Sequence, residues 1–246
     1  MNKKLIIFMP SIEGGGVEKN LFIISNFLSK KKFDIKLITS SKDHIKKFHG
    51  IQFKTPSINI NSYGRKIKYL FCLFLLIKEF FSNKDFLVFS FQANMYCILL
   101  SKLFNKKIII RSNSSPSGWS KNILKKVIFK IIFRYADKII VNSEEFKQEL
   151  KKKFNVNSVA IYNPLNKLEI LKLSKKKLKF PFFDKDKNSI KIINIGRFTD
   201  QKDHLTILRA INNLKNKIKV KLLIIGRGKN LEQMNNYINR NNLKKN

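Results

Sequence analysis

Lys191–Leu214 reads KIINIGRFTDQKDHLTILRAINNL, and its apolar spacing changes once along its length. Lys191–Ile195 is a short run rich in β-branched residues, the pattern of a buried strand. Gly196 ends it, and Arg197 and Lys202 follow in a polar loop. From Asp203 the apolar residues fall at Leu205, Leu208, Ile211 and Leu214, one face of a helix. A strand, a glycine and a helix start place free backbone N–H groups and the positive end of the helix dipole beside two cations. Such a place stabilises an anion. The plain alternative is an ordinary strand–turn–helix whose arginine and lysine are merely solvated.

The same alternation extends to the amino terminus. Lys4–Pro10 is an apolar run of the kind buried on both faces of a parallel sheet. Ser11–Gly16 is a loop, Val17–Ser29 has a helical period, and Phe33–Thr39 returns as a strand, which makes a βαβ unit. A lysine-rich stretch and a turn at Ser62–Gly64 lead to a helix over Arg65–Phe81. Strands at Asp85–Phe91, Lys107–Arg111, Lys138–Asn142 and Ser158–Tyr162 then alternate with helices at Asn94–Phe104, Asn122–Tyr135 and Glu144–Phe154, the last capped by Ser143. Five or six strands alternating with helices predict a doubly wound domain over residues 1–164. Residues 165–188 read as a lysine-rich connection. Residues 189–246 start a second α/β domain, with a further strand at Val220–Ile225, a loop at Gly226–Lys229 and a helix at Leu231–Ile238. Two strands and two helices leave a sheet face and an edge uncovered, so this second domain is expected to be incomplete.

Composition narrows the function classes. Lysine and arginine number 51 against 16 acidic residues, a net charge of +35. The excess is almost all lysine, with arginine only at 65, 111, 134, 197, 209, 227 and 240. Base-reading surfaces favour arginine forks, and no basic motif interleaved with aromatics occurs, which argues against nucleic acid as a partner. The abundance of Ile, Asn and Phe points to an A/T-rich coding bias that accounts for part of the lysine. A favourable peripheral contact with an anionic membrane face remains open. Cys72 and Cys97 lie in apolar runs without a CxxC pattern, as buried thiols of a reducing compartment do. Met1–Ser11 lacks a secretory cleavage pattern, and the strongest apolar run, Tyr69–Ile77, is far short of the ~20 residues of a spanning helix. A cytoplasmic protein, at most attached to the inner face of the membrane, is expected.

Several motifs resemble one family. Gly196-Arg197-Phe198 with Lys202 and His204 resembles the donor-phosphate signature of family 4 glycosyltransferases, which have two Rossmann-like domains in the GT-B fold. Pro10–Lys19 (PSIEGGGVEK), Ser90–Trp119, Tyr135–Ser143 (YADKIIVNS), Ile161–Pro164 (IYNP) and Gly226-Arg227-Gly228 resemble further segments of that family. The resemblance implies an α/β fold of GT-B type with two doubly wound Rossmann-like domains, the second incomplete. It implies a retaining glycosyltransferase, acting from a nucleotide-sugar donor on a lipid-linked or cell-envelope saccharide acceptor. Arg197, Lys202, Gly15 and Gly16 would bind the donor diphosphate, and Gly196, Gly226 and Gly228 would line the nucleotide. Read from the residues alone, the Gly14–Gly16 cluster is either a close backbone approach to a ligand or a flexible turn.

Arg111 and Asn113 follow a strand's carboxyl end, the usual ligand position in such sheets, and are the acceptor-side candidates. Neither a metal nor another cofactor is expected. Many relatives carry a histidine in the loop after the strand at Asp85–Phe91. Here that loop reads Gln92-Ala93-Asn94, so no acid or base is assigned there. Glu18 and Lys19 read as a solvated first turn, His204 as a surface or helix-start residue, and Asn163-Pro164 as hinge geometry. The family also has a glutamate pair at a fixed spacing late in its second domain. No two glutamates here stand at that spacing, and the last is Glu232. Alternatives are an inactive truncated binding module and, less favoured by the arginine count, a basic nucleic-acid-binding protein.

Overall fold

Strand by strand, the apolar runs become the parallel sheets their composition demands. The computed structural model describes residues 3–82, 85–113, 122–177, 180–184 and 188–244. The chain divides into two units, Met1–Glu169 and Ile170–Asn246. In the first, β1 (Lys4–Phe8), α1 (Gly16–Lys30), β2 (Asp34–Ile38) and β3 (Gln52–Lys54) are followed by α2 (Arg65–Phe80), β4 (Leu87–Ser90) and α3 (Asn94–Leu103). Then come β5 (Ile108–Ser112), α4 (Ile123–Phe133), β6 (Lys138–Val141), α5 (Glu144–Phe154) and β7 (Val159–Ala160). The strands form one sheet in the order β3-β2-β1-β4-β5-β6-β7, every pairing parallel.

Seven strands exceed the five or six expected, and β3 is the addition. Its three residues, Gln52–Lys54, are too short to show a period, and pairing to β2 alone makes them a strand. Two apolar clusters sandwich the sheet. One gathers Ile6, Phe8 and Ile110 with Leu76, Ile98 and Leu150 from the helices. The other joins Leu5, Ile7 and Leu37 to Leu21 of α1. At the β2–β3 edge the buried carboxylate of Glu79 on α2 pairs with Lys36 at 2.6 Å and Lys54 at 3.7 Å. Cys72 and Cys97 are buried, and burial pushes both thiols up to about 12, as expected of inert core cysteines. No helix among the described residues is long and apolar enough to cross a membrane.

The connection is not featureless: α6 (Lys167–Ser174) and α7 (Pro181–Asp184) lie within it. In the second unit β8 (Ile190–Ile195), α8 (His204–Leu214), β9 (Val220–Ile225) and α9 (Leu231–Arg240) follow. β8 and β9 pair in parallel, from Ile190 opposite Val220 to Ile195 opposite Ile225. Phe198, Leu208, Ile211, Val220 and Met234 form the core between this ribbon and its two helices. On β8, Ile190, Ile192, Ile193 and Ile195 are exposed, although the strand's composition is that of one buried on both faces.

Leu76 is fully buried on α2, whereas Leu70 on the same helix is exposed. Leu76→Ala is expected to destabilise the first unit by roughly 2–5 kcal/mol through lost burial and a cavity. Leu70→Ala should change stability by less than about 0.5 kcal/mol. Urea unfolding of the two variants checks the difference.

Candidate functional site

Parallel pairing sends every strand's carboxyl end to one edge of its sheet, and the candidate residues collect there. In the first unit the strand order reverses between β1 and β4, the topological switch point of a doubly wound sheet. Gln92, just past β4, clamps the turn after β1: Ser11 N donates to its Oε1 at 2.9 Å, and its Nε2 donates to the Ser11 carbonyl at 2.9 Å. Its carboxamide thus substitutes for one more rung of backbone pairing where the two chains diverge.

The glycine loop lies beside this clamp. Gly14 has φ +84°, and Gly14, Gly15 and Gly16 are all exposed. α1 starts at Gly16 without a side-chain cap. Glu13 within the loop accepts hydrogen bonds from Ser11 Oγ at 2.8 Å and Arg65 Nε at 3.0 Å, and it pairs with Arg65 Nη2. Glu18 departs from its reading as a solvated residue. It is 7% exposed, and its Oε1 accepts from Glu13 N at 3.4 Å. A carboxylate in the first turn is favoured by the helix dipole, which explains why it folds back rather than out. Lys19 is exposed, as expected.

Arg111, on β5, is 1% exposed. Its Nη2 donates to the Ile161 carbonyl and to Asn163 Oδ1, both at 3.0 Å, and Asn163 Oδ1 also accepts from Asn20 Nδ2 at 2.7 Å. Arg111 Nε and Asn113 Oδ1 are buried without a hydrogen-bond partner. Among the described residues the guanidinium's hydrogen-bond partners are neutral oxygens, and burial lowers its pKa from the ordinary arginine value. It ties β5 to the segment after β7 and, through Asn163, to α1. Asn94 adds a second tie, its Nδ2 donating to the Arg111 carbonyl at 3.1 Å. The polar loop that follows Asn113 lies at 114–121, outside the described residues. Asn20 is the member that sequence reasoning missed, and the partners of Gln92 and Asn163 were not foreseen, since an amide gives no periodic signal and its partner lies far away in the chain.

In the second unit the loop after β8 is locked onto the loop after β9. Gly196 N donates to the Ile225 carbonyl at 3.0 Å, Phe198 N to the Arg227 carbonyl at 2.9 Å, and Asn230 N to the Phe198 carbonyl at 3.1 Å. A Cβ at Gly226 would lie 1.9 Å from the Gly196 oxygen, and one at Gly228 2.4 Å from the Phe198 oxygen. Close loop packing therefore requires glycine at both positions. Asp200 cross-links the same loops, accepting from Lys229 Nζ at 2.5 Å and Asn230 Nδ2 at 2.8 Å, and these bonds lower its pKa below the ordinary carboxylate value.

Arg197, Lys202 and Arg227 are exposed on this double loop. Neither Arg197 nor Lys202 makes an ion pair with a described residue. Asp203 caps α8, accepting from Thr206 Oγ1 at 2.7 Å and Thr206 N at 3.4 Å. Its charge offsets part of the local positive potential, and Arg197 and Lys202 leave the balance positive. His204 is the first residue of α8, the helix-start place read for it, but it is not on the surface: it is only 3% exposed, its ring edge-on to Phe198 at 5.2 Å. Among the described residues no cluster of side chains could hold a metal ion.

The parallel sheet with a reversal after β1, ending in glycine loops and helix starts, defines a Rossmann-type protein of ligand-binding design. The model of the glycosyltransferase family 4 domain matches residues 14–167, and that of glycosyl transferases group 1 matches residues 175–246. The chain belongs to glycosyltransferase family 4. It is 26% identical over 239 residues to N-acetylgalactosamine-N,N'-diacetylbacillosaminyl-diphospho-undecaprenol 4-alpha-N-acetylgalactosaminyltransferase of Campylobacter jejuni, covering 92% of this chain and 63% of that protein. It is 30% identical over 161 residues to an uncharacterized glycosyltransferase of Methanocaldococcus jannaschii, covering 61% of this chain and 40% of that one. The chain thus spans less than two thirds of the length of either relative. Among structures, Anabaena HepE in complex with UDP and glucose superposes with a TM-score of 0.68 at 14% identity, covering 99% of this chain and 67% of that one. A glycosyltransferase from Rickettsia africae gives 0.62 at 20% identity, covering 99% and 66%. The fold is that of GT-B glycosyltransferases.

The hydrogen bonds from Arg65 and Ser11 hold Glu13 at about 2, well below its ordinary 4.5. A folded-state value below the unfolded one stabilises the loop above the unfolded pKa, and that contribution fades as pH falls from about 4.5 towards 2. Arg65→Gln is expected to return Glu13 towards the ordinary carboxylate range. Carboxyl-carbon NMR titration of Glu13 in both proteins reads the shift directly.

Proposed function

We propose that this chain supplies the acceptor-side domain and part of the donor domain of a retaining glycosyltransferase, which moves a sugar from a nucleotide-sugar to a saccharide or lipid-linked acceptor. The observation that carries the reading is the rigid double loop with Arg197 and Lys202 unpaired at the start of α8. Departure of a nucleoside diphosphate concentrates negative charge on phosphate oxygens as the sugar–phosphate bond breaks. Fixed cations and backbone N–H groups that need not reorganise stabilise that charge. Arg197 and Lys202 hold the diphosphate. Gly196, Gly226 and Gly228 let the backbone come close to the nucleotide. With two arginine and lysine side chains at the phosphates, no metal is required. HepE, crystallised with UDP and glucose, supports a uridine nucleotide as the first donor to try.

On the acceptor side, Asn113 lies at the ligand edge, while Arg111 acts from within by holding Asn163 and α1 in place. The Campylobacter relative, whose name specifies a diphospho-undecaprenol-linked saccharide, supports a lipid-linked acceptor. The outer surface of α2, α3 and α4 fits such a substrate. α3 packs between the other two helices. Phe74, Leu103, Ile123 and Leu124 are among the large apolar side chains exposed along them, with Lys66, Lys125 and Lys126 also exposed. Apolar side chains flanked by lysines suit the headgroup region of an anionic bilayer. The protein would then work at the inner face of the cell membrane, without binding nucleic acid.

Arg197→Ala and Lys202→Ala are each expected to weaken UDP binding roughly 10- to 100-fold, the loss of a hydrogen bond to a charged group. Calorimetric titration measures it, and unchanged affinity in both variants would remove the donor-site assignment. The chain should also float with vesicles containing phosphatidylglycerol and not with neutral phosphatidylcholine vesicles. Ile123→Glu together with Leu124→Glu should abolish flotation.

A further inference from the structure

Arg65 opens α2, and Tyr69 stands one turn further on, so the two side chains are neighbours on one face of the helix. Cys72 and Leu76, on the same side of α2, are buried in the core, whereas Leu70 and Phe74 lie on the opposite, exposed side. The face of Arg65 and Tyr69 therefore turns inward, and at its amino end it meets the loop after β1. There Arg65 Nε and Nη2 donate to the two oxygens of Glu13, a bidentate pair whose side chains stay about half exposed. Among the described residues Arg65 Nη1 has no partner, and the half-buried Tyr69 makes no hydrogen bond. The Tyr69 phenol lies within the fields of both Arg65 and Glu13.

Charge decides what such a cluster can hold. The positive charge of Lys68 also bears on Glu13, and the negative charge of Glu18 bears on Arg65. Two cations thus face two carboxylates, and the cluster is close to neutral, unlike the loop that carries Arg197 and Lys202. An anion gains little from a guanidinium already committed to a carboxylate. What the cluster offers instead is mixed and closely spaced: carboxylate oxygens that accept, guanidinium N–H groups that donate, and a phenol that does both beside an apolar ring. A sugar matches this set, since each hydroxyl donates and accepts while the C–H edges of its ring are apolar. We propose that Glu13, Arg65 and Tyr69 form a subsite for an uncharged sugar of the acceptor, which Tyr69 contacts directly. This rests on the acceptor-side reading above and adds to it contact residues that the reading does not name. The Glu13–Arg65 pair then holds the carboxylate in place before the sugar arrives, which lowers the ordering cost of binding.

The test is NMR titration of the full 246-residue chain, its tyrosine rings carbon-labelled, with the methyl glycosides of glucose, galactose and N-acetylglucosamine and with inorganic phosphate. At least one glycoside should move the Tyr69 ring resonances and the amides of residues 11–16 saturably, and phosphate should not. Tyr69→Phe keeps the ring and removes the hydroxyl. It is expected to weaken that glycoside about two- to tenfold, the loss of one hydrogen bond, read on the amides. Glu13→Gln keeps the shape of the side chain but releases the charge of Arg65. It should weaken the glycoside about tenfold and let phosphate shift the same amides, a gain that loss of loop structure alone would not produce. A glycoside that shifts the amide of Asn113 and leaves Tyr69 unmoved overturns this inference and keeps the acceptor-side reading. Native-like glycoside affinity in both variants, or a Tyr69 response to phosphate in the native chain, also overturns it. No shift anywhere in the first unit with any of the three glycosides overturns both readings. Should a variant not fold, the native titration with glycosides and phosphate decides by itself.

Discussion

Parallel pairing is the constraint on which the rest of this molecule depends. A parallel strand cannot be followed by a tight hairpin, so each βα connection returns over a face of the sheet and every strand ends at the same edge. In the first unit this brings the glycine loop after β1, Gln92 after β4, Arg111 at the end of β5 and Asn163 beyond β7 into one region, although they come from widely separated parts of the chain. In the second unit it stacks the loop after β8 on the loop after β9.

Rigidity at these edges comes from amides and glycines more than from ion pairs. Gln92 pairs with the backbone of Ser11 as a strand would, and Asn163 shares one oxygen between Arg111 and Asn20. In the second unit, Gly226 and Gly228 allow two backbones to approach closer than any side chain would permit. Each device works over a few ångströms and adds little net charge. The exposed cations Arg197 and Lys202 therefore leave the balance of charge at the loop positive, as a diphosphate requires. Lys229 lies on the same surface but is spent on Asp200, so proximity to the loop does not by itself make a lysine available.

Much of the fold was legible because continuous β-branched runs and a 3.6-residue period are local properties. β9 falls at Val220–Ile225 and α5 at Glu144–Phe154, as their patterns specify, and Ser143 caps α5 through the Phe146 N–H at 3.2 Å. β3 was not legible, since a three-residue strand has no period and exists only through its neighbour. The burial of Glu18 and of His204 was not legible for a related reason. Polar residues in a first helical turn usually face solvent, and their burial here depends on a loop folding over them.

Sequence alone determined the alternation of strands and helices, the two α/β units, the family motifs and the residue types able to meet a phosphate. These follow from side-chain chemistry and short-range spacing. Tertiary structure decided which of those residues are available. It buried Arg111 among neutral oxygens, paired Lys229, left Arg197 and Lys202 free, and turned His204 inward against Gly196. Availability is settled by partners distant in the chain, through packing and hydrogen bonds that no local pattern encodes.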